Sequence, residues 1–458
     1  MENEVLLERF EALVAEHSYA ELRVYLDDQL ITDITELLHE LPEQAGIIIN
    51  HLSIGRAAAA FRILDFHAQE DVIRELPATK VAELLNELPA DDRAAFLGEL
   101  PNEAVKELIK LLDPEERKIT LSLLGYRETS VGRIMTPEYI AVQEDWTVKH
   151  VLEHIREHGK DSETIDVIYV VDEKGTLLDD FRIREFLLVA QDTVVHTLMD
   201  DRFVSLHVND DQEEAIQIFR MENRVALPVV DDNGLLLGIV TIDDMLWIAN
   251  EEHTEDIQKI GGTEALDEPY LDMPLLKLVK KRIGWLIVLF IGEMLTATAM
   301  GFFEDEIAKA VVLALFVPLI ISSGGNSGSQ ASTLIIQAMA LGEISISDWW
   351  RVMRRELLSG IMLGSVLGLI GFMRIVIWNR LFHTYGEHTV LIGSTVGISL
   401  IGVVLWGTLS GSMLPLLLKK LGADPATSSA PFVATLVDVT GLLIYFSVAY
   451  TLMQGILL

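Results

Sequence analysis

Asp438 is the only carboxylate in the apolar run Pro431-Phe-Val-Ala-Thr-Leu-Val-Asp438-Val-Thr-Gly-Leu-Leu-Ile-Tyr-Phe446. An acid deep in a membrane span costs about 2.5–3.5 kcal/mol unless it faces water, a cation or another polar group. The chemistry such a residue offers is cation coordination through oxygen; the alternative is hydrogen bonding to nearby hydroxyls such as Thr435 or Thr440. Glu293 is a second acid inside an apolar run, and the sequence alone gives it no role. A third acidic feature is Asn250-Glu-Glu252-His-Thr-Glu255-Asp256-Ile257, in which residues 252, 255 and 256 fall on one helical face. Cations bound there would draw that helix toward other acidic surfaces, whereas the alternative is a solvated linker with ordinary surface charge. No Gly-x-x-x-x-Gly-Lys-Ser/Thr loop is present to support ATP-driven pumping. The expected class is therefore an ion pathway rather than an enzyme, with no catalytic residues.

The elements that must position these acids differ in solvent. The 458 residues combine a mean hydropathy of +0.33 with a net charge of −35. Residues 1–271 hold 59 acidic and 23 basic side chains, a net of −36, and residues 272–458 hold 11 and 12, a net of +1. The front is thus an acidic, water-soluble module and the back a membrane domain. Such an excess of carboxylates argues against nucleic acid as a partner and for cations. With no cysteine, a metal must be a hard cation on oxygen or one bound by histidine. The opening Met-Glu-Asn-Glu-Val lacks the basic start and apolar core of a signal peptide. Runs at about 283–303, 311–341, 357–377, 390–418 and 431–457 reach the roughly 20 residues that a span needs. Basic residues precede the first run and lie between the second and third and between the fourth and fifth. The positive-inside rule then predicts a multi-pass cell-membrane protein with a cytoplasmic N-terminus and an outside C-terminus.

Within the front, Glu-Leu-Pro recurs at residues 75–77, 87–89 and 99–101, followed by Leu112-Asp113-Pro114. Proline suits a first helical turn, so this spacing predicts a helical solenoid over 1–130 used for interaction or regulation. From Val131 short β-branched runs alternate with helices, and Val131-Gly-Arg-Ile-Met135 is echoed by Val195-His-Thr-Leu-Met199. This twofold pattern resembles a tandem CBS pair over 131–250, with copies at 131–195 and 196–250. Thr241 and Asp244 look like that family's ribose-contacting Thr-x-x-Asp, whereas the first copy has Arg182 where Ser or Thr is usual. The resemblance therefore allows one ATP-type site at most. A connecting helix is expected from Trp247 to about Tyr270, with 251–271 as the link and 272–458 as the membrane domain.

The second apolar run contains Phe316-Val-Pro318-Leu-Ile-Ile-Ser-Ser-Gly324-Gly325-Asn326-Ser327-Gly328-Ser329-Gln330. Glycines allow close backbone approach and expose amides and carbonyls to a water-filled path. That string, the fifth run around Asp438, and the order of solenoid, CBS pair, connecting helix and five spans closely resemble the MgtE family of magnesium channels. The resemblance implies a homodimer of helical solenoid, α/β CBS pair and all-α five-helix membrane domains in lipid. Its pore would lie along the dimer axis between the second and fifth spans, with Asp438 holding a largely hydrated Mg²⁺ and Gly325, Asn326 and Ala434 lining the path. It also implies Mg²⁺ as regulator as well as substrate, bridging Asp91, Asp211, Glu213, Asp244, Glu252, Glu255 and Asp256, with Asp424 at the inner mouth as a cation-gathering group or a helix cap. Ala59, Ala95, Asn223 and Trp247 stand where carboxylates would be expected, Ala430 replaces a common Asn, and Glu293 is a further departure. A secondary transporter coupled to Na⁺ or H⁺ through Glu293 and Asp438 is the alternative.

Overall fold

The computed structural model describes residues 2–266, 270–271 and 273–456. The chain forms two compact units, one running up to Ala249 and the other starting at Asn250.

In the first unit the proline spacing translates into short helices. Pro77, Pro89 and Pro101 stand immediately before Ala78–Glu87, Ala90–Glu99 and Asn102–Leu108, and Pro114 opens Pro114–Leu123. Each interval is too short to bury a core alone, so the helices share one built from Phe10, Leu22, Ile48, Phe61, Leu84 and Leu97. Full burial of one such side chain contributes about 1.5–3 kcal/mol.

Residues 131–249 contain two three-stranded sheets of the same topology. In the first, β1 (Ala141–Gln143) runs parallel to β2 (Val167–Val171), which pairs antiparallel with β3 (Leu177–Arg182). In the second, β4 (Leu206–His207), β5 (Ala226–Val230) and β6 (Leu236–Thr241) repeat that order. Val167, Tyr169 and Leu177 of one copy pack with Ala226, Leu236 and Ile239 of the other. The two copies therefore share a core, and Thr136 bridges to Ile239 of the second sheet.

The expected connecting helix is repositioned. A single helix runs Ile242–Ile260, continuing the last CBS helix without a break and ending ten residues before the expected Tyr270. Gly261 and Gly262 stop it, and Gly262 takes φ +76°, a left-handed conformation that glycine adopts at no steric cost. The rest of the expected link includes residues 267–269 and 272, which lie outside the described residues.

Five helices in the second unit are long and apolar enough to cross a membrane: Leu275–Phe302, Val311–Ala340, Ile346–Phe382, Gly386–Lys420 and Ala430–Met453. The last expected residue of the fifth run, 457, is outside the described residues. Glycines let the spans meet backbone to backbone. A methyl at Gly364 would overlap Ile401, one at Gly368 would overlap Gly397, and Gly324 and Gly328 sit against Gly407 and Gly411. Tyr445 donates to the Leu313 carbonyl at 2.8 Å, tying the fifth span to the second.

Candidate functional site

The second and fifth spans enclose a cleft of about 310 Å³ lined by Pro318, Ile321, Ser322, Gly325, Asn326, Ala434 and Asp438. It brings together four residues picked out from sequence, Gly325, Asn326, Ala434 and Asp438. A Cβ on Gly325 would stand 3.6 Å from Asp438 Oδ1, so the glycine leaves space in front of that carboxylate. Asn326 Nδ2 lies 3.5 Å from Ser322 Oγ. Hydrogen bonds fix the register of the two helices: Ser329 Oγ donates to the Ala430 carbonyl and Ser332 Oγ to the Ser428 carbonyl, both at 2.9 Å. Ala430 thus contributes its backbone oxygen where a polar side chain was expected.

The hydroxyls first considered for Asp438 are used elsewhere. Thr440 accepts from Trp406 Nε1 at 2.7 Å and donates to the Leu436 carbonyl. The Thr435 methyl faces Gly292, where any added side chain would collide with it. That close approach of the first span places the next residue, Glu293, near enough to Asp438 for the two carboxyl groups to interact electrostatically. Two adjacent carboxylates repel, and a cation between them would relieve that repulsion. This is the pair that the alternative, ion-coupled reading of the sequence names.

In the first unit, Asp91 and Asp244 do come together, joined by Asp92, Glu163 and Arg62. Arg62 Nε is 2.9 Å from Asp92 and Arg62 Nη2 is 3.6 Å from Asp244. Asp91 is 7% exposed and its Oδ1 has no hydrogen-bond partner. Burial, reinforced by Asp92, Asp244 and Glu163, pushes its carboxyl well above the usual range. Burial likewise pushes Asp92 up to about 6, against the opposing pull of Arg62. Arg62 lies one helical turn beyond Ala59, so a fixed guanidinium enters on the side where a carboxylate was expected.

Other sensor candidates have different local duties. Asp211 caps the helix Gln212–Glu222 by accepting from Glu213 N at 3.2 Å, and it pairs with Arg127 at 2.8 Å. Asn223 ends the same helix with φ 49°, a conformation asparagine tolerates better than most residues. Thr241 donates its hydroxyl to Asp244, so these two nucleotide candidates bond to each other. Trp247 is 65% exposed. In the second unit Lys259 pairs with Glu255 and, at 2.7 Å, with Asp424. Asp424 also caps Pro425–Thr427 through Ala426 N at 2.8 Å, the helix-cap role considered for it. Burial and the neighbouring Asp424 push Asp256 up to about 6. Glu252 lies one turn before these groups. Among the described residues, no three His, Asp or Glu side chains converge tightly enough to hold a metal.

Similarity to known proteins follows the same division. The family described as "Divalent cation transporter" matches residues 317–448, "MgtE intracellular N domain" matches 30–129, and "CBS domain" matches 131–188 and 195–250. The chain is 40% identical over 351 residues to "Magnesium transporter MgtE" of Thermus thermophilus, covering 77% of this chain and 76% of that one. It is 27% identical over 445 residues to the protein of that name in Bacillus subtilis, covering 97% and 96%. A crystal structure of the cytosolic domain of the Mg²⁺ channel MgtE in complex with ATP superposes with TM-score 0.50 at 35% identity. That match covers 52% of this chain and 98% of the other.

Proposed function

The chain belongs to the MgtE family of magnesium transporters, and from that premise we propose that it conducts Mg²⁺ through the cleft at Asp438 under the control of its acidic cytosolic face. The observation that carries this reading is Asp438 beside the open backbone of Gly325 and the amide of Asn326. Mg²⁺ gives up its water reluctantly, so a roomy oxygen-lined site contacting the hydrated ion allows passage without full dehydration. In a homodimer embedded in lipid, two copies of Asp438 would face one axis and supply the negative field. The cytoplasmic N-terminus and outside C-terminus follow from the basic residues between spans.

Regulation is assigned to three parts: the helical domain (1–130), the CBS pair (131–250) and the link leading into the membrane domain (272–458). Mg²⁺ at Asp91 and Asp244, and at Glu252, Glu255, Asp256 and Asp424, would offset like-charge repulsion and favour the closed form. Asp211 and Glu213 would contribute at the start of Gln212–Glu222. ATP at Thr241 and Asp244 requires that their mutual hydrogen bond open.

Mg²⁺ uptake into proteoliposomes tests the pathway. Wild-type protein takes up Mg²⁺, and Asp438→Ala loses divalent selectivity; unchanged Mg²⁺ flux in that variant refutes the site. The Glu293–Asp438 pair favours one second reading, transport coupled to H⁺ or Na⁺. Flux independent of both gradients rules that out.

A further inference from the structure

On the first CBS copy, the helix Val148–His158 buries Val148, Val151 and Ile155 and carries His150, His154 and His158 at four-residue intervals. Residues so spaced stack along one side of a helix, with Cβ atoms about 5–6 Å apart. The rings are gathered: His154 and His158 have centroids 4.3 Å apart, and the Trp146 indole meets His150 and His154 at 4.2 and 5.2 Å. His158 Nδ1 lies 3.2 Å from the His154 carbonyl. A ring nitrogen facing a carbonyl donates to it, which leaves Nε2 as the lone-pair nitrogen, the arrangement metal-ligating histidines use. Burial, with His158 and His150 nearby, holds His154 below its ordinary value.

We propose that His154 and His158 form a two-imidazole site for a borderline divalent transition metal such as Zn²⁺, Ni²⁺ or Co²⁺. Water would complete the coordination around the two imidazoles. Imidazole suits these ions, whereas Mg²⁺ requires oxygen, so the site is chemically separate from the carboxylates assigned to Mg²⁺. It gives the cytosolic unit a means of registering a second class of metal.

The test uses the full chain in detergent, purified without a polyhistidine tag and stripped of metal. Ni²⁺ titration should quench part of the tryptophan emission, and that part should disappear in Trp146→Phe. Zn²⁺ binding measured by calorimetry should weaken at least about tenfold in His154→Ala and in His158→Ala. It should persist in His150→Ala and in millimolar Mg²⁺. Wild-type Zn²⁺ affinity in the first two variants, with circular dichroism unchanged, overturns the assignment; so does competition by Mg²⁺ at comparable concentration. None of these readouts depends on transport, so their failure leaves the Asp438 pathway untouched.

Discussion

Lys259 donates to the Asp424 carboxylate at 2.7 Å, joining the end of the connecting helix to the loop that precedes the fifth span. Burial lowers the affinity of Lys259 for its proton, but the bonds to Asp424 and Glu255 outweigh that effect and hold the amine above its ordinary range. The ammonium therefore stays charged and occupies the middle of the acidic cluster of Glu255, Asp256 and Asp424. This counter-charge is covalently part of the chain and is always present.

The helix should therefore remain docked to this loop without divalent cations. In Lys259→Met, amide exchange across residues 250–260 should accelerate in chelator and slow again in millimolar Mg²⁺. Wild-type protein should be protected in both conditions, and identical exchange in both proteins would show that the ion pair contributes nothing.

Arg62 has the same part between the helical domain and the CBS pair. Arg62 and its nearer partner Asp92 are about a quarter exposed, so the direct loss in Arg62→Gln is about 1 kcal/mol after solvent screening. The more informative quantity is linkage. With the guanidinium gone, Asp91, Asp92, Glu163 and Asp244 lack a fixed counter-charge, and millimolar Mg²⁺ should raise the unfolding temperature more than it does in wild type. An equal or smaller rise argues against a shared electrostatic role.

Glu293→Gln keeps the shape of the side chain beside Asp438 and removes its charge. Local cation concentration at the cleft should fall, reducing single-channel Mg²⁺ conductance severalfold while selectivity persists, because Asp438 is intact. Unaltered conductance would make Glu293 a bystander.

Glu138 gives a pH dependence at the margin of the Arg62 cluster, which it meets through Glu163. Burial, followed by Glu163 and Glu116, pushes it from 4.5 up to about 7. A raised carboxyl binds more protons folded than unfolded, so its stabilising effect is complete below 4.5 and is lost as pH rises through about 7. Glu138→Gln should therefore stabilise the cytosolic unit at about pH 8, by about 1 kcal/mol after discounting for partial exposure, and do nothing near pH 4. Denaturant melts at both pH values check this, and a variant less stable at pH 8 contradicts it.

Local chemistry made much of this architecture legible. Proline at Pro77, Pro89 and Pro101 marks helix starts directly, and the Gly324-Gly325-Asn326 string and Asp438 identify themselves because polar atoms are costly in an apolar run. Pairings across elements leave no periodic trace, so Arg62 with Asp92 and Lys259 with Asp424 emerge only in three dimensions, whereas Glu293 and Asp438 could be linked beforehand because both are acids in apolar runs. The connecting helix was overextended because its charged pattern has no strong stop until the Gly261-Gly262 step is weighed against it. Asp211 was read for its charge alone, whereas its position just before a helix gives it a capping duty as well.

The glycine contacts among the second, third and fourth spans make those three helices a closely apposed group. Where Gly364, Gly368, Gly397, Gly407 and Gly411 bring backbones into touch, no flexible side chains lie between the helices to absorb sliding. The first span has only Thr296 buried among its described residues, and it meets the fifth at Gly292 against Thr435, at Trp285 with Ser429 and at the Glu293–Asp438 pair. A variant that loosens these few contacts, such as Trp285→Phe, should therefore disturb the placement of Glu293 beside Asp438 more than that of the closely apposed spans.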